Sequence, residues 1–288
     1  MRILVFGASG MVGSAMVRVL GDNTDWQVYG TLRGPGGKSF FRPALADRML
    51  VNVDVEKPDV LARVFAQVRP DVVVNCVGLT KHQQDAADPL LAIPLNALLP
   101  HRLADLCAVV GARMVHVSTD CVFSGLRGSY REQDPPDATD LYGKSKYLGE
   151  VSYPHALTIR TSPIGHELQS AYGLLEWFLA RDGHCKGYTR AIFSGLTNTE
   201  FARVVRDVVI PRPDLAGLYH LGAQPINKFD LLQLIARVYG KTIDISADPD
   251  FVVDRSLDST RFSAATGYVA PIWPTMIEAM CADHHTPD

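Results

Sequence analysis

The chain lacks the marks of several functional classes. Its five cysteines (Cys76, Cys107, Cys121, Cys185 and Cys281) include no C-x-x-C pair. An odd count without metal-ligand spacing argues against a disulfide framework and against a metal site, and implies reduced, mostly buried thiols. The adjacent pair His284-His285 sits on a polar end and reads as a tail, so no metal is expected. A net charge of −3 over 288 residues gives no electrostatic footprint for a nucleic-acid partner. No stretch approaches the ~20 consecutive apolar residues of a bilayer span. The start, "MRILVFGASG", has one basic residue and a short apolar run that ends at glycines. It lacks the core and cleavage site of a secretion signal, and reads as the first strand of a cytoplasmic protein. There is no internal repeat, no low-complexity run and no flexible linker.

What is present is a globular composition, 47% apolar and 20% charged, in a chain long enough for one large domain or a domain with a smaller lobe. The segments 2–6, 27–31, 71–75, 113–118 and 156–160 are short, β-rich and mostly continuously apolar, as strands buried on both faces are. Between them 11–20, 60–68, 94–110 and 142–151 read as helices, with Pro100 placed to kink the third. The alternation predicts right-handed βαβ units in an α/β, doubly wound parallel sheet. After about residue 160 the pattern loosens into helices near 173–181, 199–209, 228–239 and 273–282, with strands near 217–221 and 242–246. The expected division is 1–160 for a nucleotide-binding domain and 161–288 for a smaller mixed lobe, with some interleaving of the chain. Ligands bind beyond the carboxyl ends of such strands, where the second lobe closes a cleft.

"FGASGMVG" sets Gly7, Gly10 and Gly13 between the first strand and the first helix. Gly7 permits a tight turn, Gly10 a close backbone approach, and Gly13 close packing of helix on strand. With Ser9, Met11 and Val12 they form a dinucleotide cradle in which the helix N-terminus faces the pyrophosphate. An acid at the end of the second strand would bind the adenosine ribose. The chain has Leu32 there, followed by Arg33. Arginine suits a 2′-phosphate, so NADPH is expected, with NADH as the alternative and a solvated loop arginine as the plain reading. Asp54 and Val55 follow a third short strand as adenine contacts. Cys76, Val77 and Gly78 end the fourth strand where the chain passes the cofactor, unless they serve only strand-end packing.

Tyr142 is the only one of ten tyrosines followed four residues later by lysine, Lys146, where about 0.3 such pairs are expected by chance. On a helix the two share one face. Free tyrosine, with a pKa of ~10, is a poor acid–base catalyst at neutral pH, and a neighbouring cation lowers that value. The bland reading is a surface pair. "VSTDCVF" ends the fifth strand and offers Ser118 and Thr119, the latter at the exit toward the cleft.

"GASGMVG", "STDCVFSG", "YREQDPP" (130–136), "YGKSKYLGE" and "IRTSPIG" (159–165), in this order, carry a resemblance that spans nearly the whole chain. It resembles an extended short-chain dehydrogenase/reductase and, within that superfamily, the dTDP-4-dehydrorhamnose reductase group. The resemblance implies a Rossmann-like domain and a catalytic triad of Thr119, Tyr142 and Lys146. It implies hydride transfer from NADPH to the ketone of a nucleotide-linked 4-keto-6-deoxyhexose. Tyr142 would give the proton, Thr119 would hold the carbonyl oxygen, and Lys146 would tune Tyr142 and grip the ribose.

Dehydratases of the superfamily carry Asp-Glu after the threonine. Here the pair is Asp120-Cys121, and a thiol with a free pKa near ~8.5 replaces the glutamate's chemistry poorly. Many reductases carry an aromatic residue where Cys121 stands, so the sugar pocket is expected to be reshaped. With Thr119 and Tyr142, Asp120 and Cys121 are the expected sugar contacts. Arg190 and Arg255 suit a diphosphate, or are solvated loop arginines, and Thr199 suits a helix N-cap. Two alternatives stay open: a nucleotide-sugar epimerase, and a non-catalytic NADP-binding regulatory subunit like the β subunit of methionine adenosyltransferase. The expected partners are a nucleotide-diphosphate sugar and a second copy in a homodimer, with no nucleic acid and no membrane.

Overall fold

The computed structural model describes residues 1–80 and 87–285. Seven strands form one parallel sheet in the order β3-β2-β1-β4-β5-β6-β9. They are β1 (Arg2–Phe6), β2 (Gln27–Thr31), β3 (Met49–Leu50), β4 (Val72–Asn75), β5 (Arg113–Thr119), β6 (Ala156–Thr161) and β9 (Gly217–His220). Strand order runs one way from β1 through β2 to β3, and the other way from β4 onward. The crevice beyond the ends of β1 and β4 is therefore the switch point at which such sheets bind ligands. Alternation along β1 serves both faces. Ile3 and Val5 join one core with Ala15, Met16 and Leu20, while Leu4 and Phe6 join the other with Leu61, Val64 and Phe65.

The helices that cover the sheet are α1 (Met11–Gly21), the short α2 (Pro43–Ala46), α3 (Pro58–Val68), α4 (Pro89–Ala92), α5 (Leu99–Val110) and α6 (Leu141–Leu148). Helix α4 runs into α5 through a π-helical stretch, Ile93–Leu98. Pro100 does not break this helix from within. It stands in the first turn of α5, and the wider π turns ahead of it accommodate the missing N–H. Together Pro89–Val110 is long and apolar enough to cross a membrane by length and composition, contrary to the sequence expectation. Its Leu99, Leu103, Ala104 and Cys107 are buried among the residues of one sheet face, as in a core helix.

The remainder comprises α7 (Leu174–Leu179), β7 (His184–Tyr188), β8 (Ala191–Phe193), α8 (Asn198–Val204), β10 (Ile226–Asn227), α9 (Lys228–Val238), β11 (Asp244–Asp248), β12 (Val253–Asp254), α10 (Thr260–Thr266) and α11 (Trp273–His285). Strands β10, β8 and β12 form a small sheet, and β11 pairs with β7. Three sequence expectations change. Strand β9 belongs to the main sheet, where Leu157 pairs with Gly217 and Ile159 with Tyr219. The N-cap of α8 is Thr197, whose hydroxyl accepts the Glu200 amide at 3.3 Å, so Thr199 lies inside the helix. His284 is no tail residue: it lies in α11 with its ring stacked 3.7 Å from that of His166. The side chain of residue 285 lies outside the described residues.

A buried ion pair ties β9 to the middle of the sheet. Arg160 on β6 donates Nε and Nη2 to Glu150 at 2.7 and 2.6 Å, and its Nη1 donates to His220 Nε2 at 3.2 Å. The Ser118 hydroxyl also donates to Glu150, at 2.7 Å. His220 Nδ1 donates to the Tyr130 carbonyl at 3.0 Å, which leaves Nε2 as the acceptor. Burial and the facing guanidinium push the His220 pKa down to about 4, so this ring is neutral and fits that role.

Candidate active site

The turn after β1 is built to leave backbone exposed. Gly7 has φ +81°, a left-handed conformation that favours glycine. A Cβ on Gly13 would overlap the Gly7 carbonyl oxygen, so α1 packs directly on the turn. The Gly7 amide reaches the Thr31 hydroxyl at 3.2 Å and the Gly10 amide the Gly7 carbonyl at 3.0 Å. Gly10 is the N-cap of α1 and has no side chain to cap it, so the first-turn amides of Met11, Val12 and Gly13 point out of a helix start. Ser9 lies on the same turn. From the other half of the chain, Asn198 donates to the Met11 carbonyl at 3.0 Å. The fit for a dinucleotide rests on this cradle, whose glycine backbone a side chain would fill.

Arg33 stands exposed just past β2, while Leu32 is buried in the core. Asp54 is half-buried, accepts the Glu56 amide at 3.1 Å and meets Lys57 at 3.5 Å. Val55 packs at the edge of the core beside β3. After β4, Asn75 Oδ1 accepts the Val77 amide at 3.1 Å and shapes the turn through Cys76, Val77 and Gly78. A Cβ on Gly78 would lie 3.7 Å from Lys146 Nζ and 3.1 Å from Asn96 Oδ1. This turn therefore joins the glycine loop to the helix that carries Tyr142. Burial pushes the Cys76 thiol up to about 12, against the pull of Lys146, so it is inert at neutral pH.

Thr119, Tyr142 and Lys146 converge at the carboxyl end of β5. Asp140 caps α6 by accepting the Gly143 amide at 2.7 Å, which starts the helix one residue before Tyr142. Lys146 is buried, and its ammonium donates to the Val117 carbonyl at 2.8 Å. Burial lowers its pKa to about 8, against the pull of Glu150 and Cys76. The Thr119 hydroxyl donates to Asp120 Oδ1 at 3.1 Å and accepts the Cys121 amide at 3.1 Å. Burial, then Cys121, push the Tyr142 pKa above its ordinary value, and the Thr119 hydroxyl pulls the other way. This reverses the sequence expectation that Lys146 would depress it. In the protein alone the phenol keeps its proton throughout the neutral range, the form required of a proton donor.

Asp120 is buried, and its carboxyl is raised by burial while Arg255 pulls it down. Arg255 is held in place: Nε donates to the Phe123 carbonyl at 2.9 Å and Nη2 to the Ser124 carbonyl at 3.1 Å. Arg190 is exposed at the start of β8. Sequence reasoning missed two groups. Asn96, on the π stretch, donates to Ser145 Oγ at 3.1 Å and accepts the Leu79 amide at 2.9 Å, and so locks α6 to the turn after β4. Its signal was an asparagine between two prolines in an apolar helix. Lys228, at the start of α9, left no signal in the sequence beyond a capping asparagine before it.

A glycine cradle at the switch point of a parallel sheet, with a protonated tyrosine and a buried lysine one helical turn apart beside it, defines the short-chain dehydrogenase/reductase class. Within that class the chain belongs to the RmlD substrate binding domain family, whose profile matches residues 1–182. It is similar to the dTDP-4-dehydrorhamnose reductase of Salmonella typhimurium, with 29% identity over 233 residues, 77% of this chain and 73% of that protein. It is also similar to methionine adenosyltransferase 2 subunit beta of Xenopus laevis, with 34% identity over 151 residues, 52% of this chain and 41% of that protein. Among solved structures, a Clostridium acetobutylicum dTDP-4-dehydrorhamnose reductase has a TM-score of 0.81 at 20% identity, covering 99% of this chain and 100% of that one. The Bacillus anthracis enzyme in complex with NADP has a TM-score of 0.77 at 19% identity, covering 98% and 99%. At these identities the two structures establish the fold.

Proposed function

We propose that this protein is an NADPH-dependent reductase of a nucleotide-activated 4-keto-6-deoxyhexose. The observation that carries the reading is the convergence of Thr119, protonated Tyr142 and buried Lys146 at the end of β5, beside the turns after β1 and β4. The Salmonella relative, named for a reaction of this kind, supports it, as does NADP in the Bacillus anthracis structure. Gly7, Ser9, Gly10, Met11, Val12 and Gly13 would hold the pyrophosphate, Arg33 the 2′-phosphate, Asp54 and Val55 the adenosine, and Cys76, Val77 and Gly78 the passage toward the nicotinamide. NADPH, when bound, supplies the hydride. Lys146 has two N–H donors beyond the one given to Val117, enough for the ribose hydroxyls. Tyr142 passes its proton to the carbonyl oxygen, and Thr119 turns its hydroxyl from Asp120 to the same oxygen. Arg190 and the Nη1 of Arg255 meet the diphosphate.

In this reading residues 1–160 with β9 bind the cofactor and the rest forms the substrate lobe. The substrate comes from a dehydratase, and the product goes in the cytoplasm to a surface polysaccharide or a glycosylated metabolite. The test is NADPH consumption with dTDP-, UDP- and GDP-linked 4-keto-6-deoxyhexoses, followed by NMR of the product sugar. Turnover of one member sustains the reading. The similarity to the methionine adenosyltransferase subunit favours one rival, a regulatory NADP-binding protein. Tight NADPH binding, no turnover of any member and co-purification with another enzyme would establish it.

A further inference from the structure

The Asn198 side chain reaches the glycine turn from the other half of the chain, 187 residues away from Met11. It stands in the first turn of α8, just after the Thr197 cap, and is 2% exposed. Both ends of its amide are engaged. Nδ2 donates to the Met11 carbonyl at 3.0 Å, and Oδ1 accepts the Thr199 amide at 2.9 Å. This pairing fixes the orientation of the group, because the flipped amide would set oxygen against the Met11 oxygen and N–H against the Thr199 N–H. Its backbone is held as well. The Asn198 amide donates to the Ile164 carbonyl at 2.7 Å, and the Ile164 amide to the Leu196 carbonyl at 2.9 Å. Gly165 closes a further side, where a Cβ would lie 2.0 Å from the carbonyl carbon of the Asn198 side chain.

Such a strut is more than the packing of α1 on α8 requires. Ala15, Met16 and Val19 of α1 already share one core with Phe201 and Ala202 of α8. What the strut adds is a fixed peptide plane. The Met11 carbonyl and the Val12 N–H belong to one planar trans peptide and point in opposite directions. Met11 and Val12 open α1 behind the Gly10 N-cap, where no intrahelical carbonyl takes the N–H groups. Holding the Met11 oxygen therefore holds the Val12 N–H on its aim out of the helix start. A donor on that oxygen also polarises the peptide, which strengthens its N–H as a donor. The Ser14 hydroxyl donates to the same oxygen at 3.2 Å, but Ser14 is part of α1 and turns with it. Asn198 ties the peptide to a different element.

We propose that Asn198 is a positioning residue for the cofactor: through the Met11–Val12 peptide it keeps the Val12 N–H directed at the pyrophosphate of a bound dinucleotide. The inference rests on the dinucleotide reading of the glycine turn and is independent of which sugar is reduced. It makes cofactor affinity depend on a side chain from the part of the chain that follows β6.

The experiment titrates wild type, Asn198→Ala and Asn198→Asp with NADPH and with adenosine 2′-phosphate, which lacks the pyrophosphate. Circular dichroism and thermal unfolding check that each variant is folded. Asn198→Ala is expected to weaken NADPH by about 3- to 10-fold, the range of one neutral hydrogen bond, and to leave adenosine 2′-phosphate unchanged. Asn198→Asp keeps an acceptor for the Thr199 amide but sets a carboxylate oxygen against the Met11 carbonyl, and is expected to weaken NADPH further. Asn198→Ser, too short to reach Met11, serves if the alanine variant fails to fold. A folded variant without the donor that binds NADPH as wild type does would overturn the inference and leave the reading of the glycine turn standing. Equal losses for the two ligands would overturn it too, since a general loosening of the site weakens both. A wild type that binds no dinucleotide would bring down the reading of the turn, and the inference with it.

Discussion

The two ends of the cleft are built by different means. The side proposed for the cofactor is a set of local devices on one sheet. Gly7, Gly10 and Gly13 fall within seven residues, Tyr142 and Lys146 within five, and each group works through neighbours in sequence or on the adjoining strand. The side proposed for the sugar is assembled from pieces far apart in the chain. Asp120 follows β5, Phe193 is on β8, Lys228 opens α9 and Arg255 follows β12. The difference shows why one fold serves many substrates. The cofactor side is constrained by backbone geometry that a single Cβ disrupts, as at Gly13, whereas the sugar side is a meeting of loops that can change one at a time.

The comparison breaks most readily at the join between the halves. Glu150→Ala leaves the Arg160 guanidinium buried without its carboxylate and is expected to destabilise the fold by about 3–5 kcal/mol. Urea denaturation would measure it, and a loss under 1 kcal/mol would show that β6 and β9 do not depend on this pair.

On the cofactor side, Tyr142→Phe keeps the ring and removes the proton donor. Turnover is expected to drop by about 10²–10⁴-fold with NADPH binding intact, and near wild-type kcat would remove Tyr142 from the mechanism.

Raising the pH is expected to bear on both sides at once. Folded-state pKa values of about 8 mean that Lys146 and Lys228 lose their charge as pH rises through 8, well before an ordinary lysine. Tyr142 stays protonated over that range. Thus kcat/KM should fall on the alkaline side through loss of cationic donors rather than of the phenol proton. A kcat/KM profile flat from pH 7 to 10 would refute the assignment of Lys146.

Arg33→Ala is expected to weaken NADPH by about tenfold, in the range of one charge-assisted contact, and to leave NADH unchanged. Fluorescence titration of both cofactors measures this, and equal losses for the two would deny Arg33 the 2′-phosphate. The smallest effect is expected for Thr197→Ala, which removes the N-cap of α8 and costs about 1 kcal/mol in thermal unfolding.

The sequence alone carried the strands of the main sheet as far as β6 and the helices between them. Continuous apolar runs and glycine punctuation are signals that do not need the rest of the molecule. It was weaker beyond residue 160. Strand β9 looked like part of a separate lobe because nothing in "GLYH" says which edge it joins; the register with β6 and the Arg160–His220 contact decide that. Two-residue strands such as β10 and β12 leave no periodicity at all. Lys228 illustrates the limit. Its neighbours in sequence, Asn227 and Phe229, describe a capped helix start, and the carboxylate that acts on its charge is Asp120, more than a hundred residues away.

What the sequence determined by itself was whatever depends on spacing along one element: the glycine cradle at a helix start, and Tyr142 with Lys146 one helical turn apart. The tertiary structure decided which groups are buried and which way their pKa values move. A pKa is set by burial and by charges that arrive from other elements. Burial keeps the Tyr142 proton on and draws Lys146 and Lys228 down toward neutrality, which no local spacing can report.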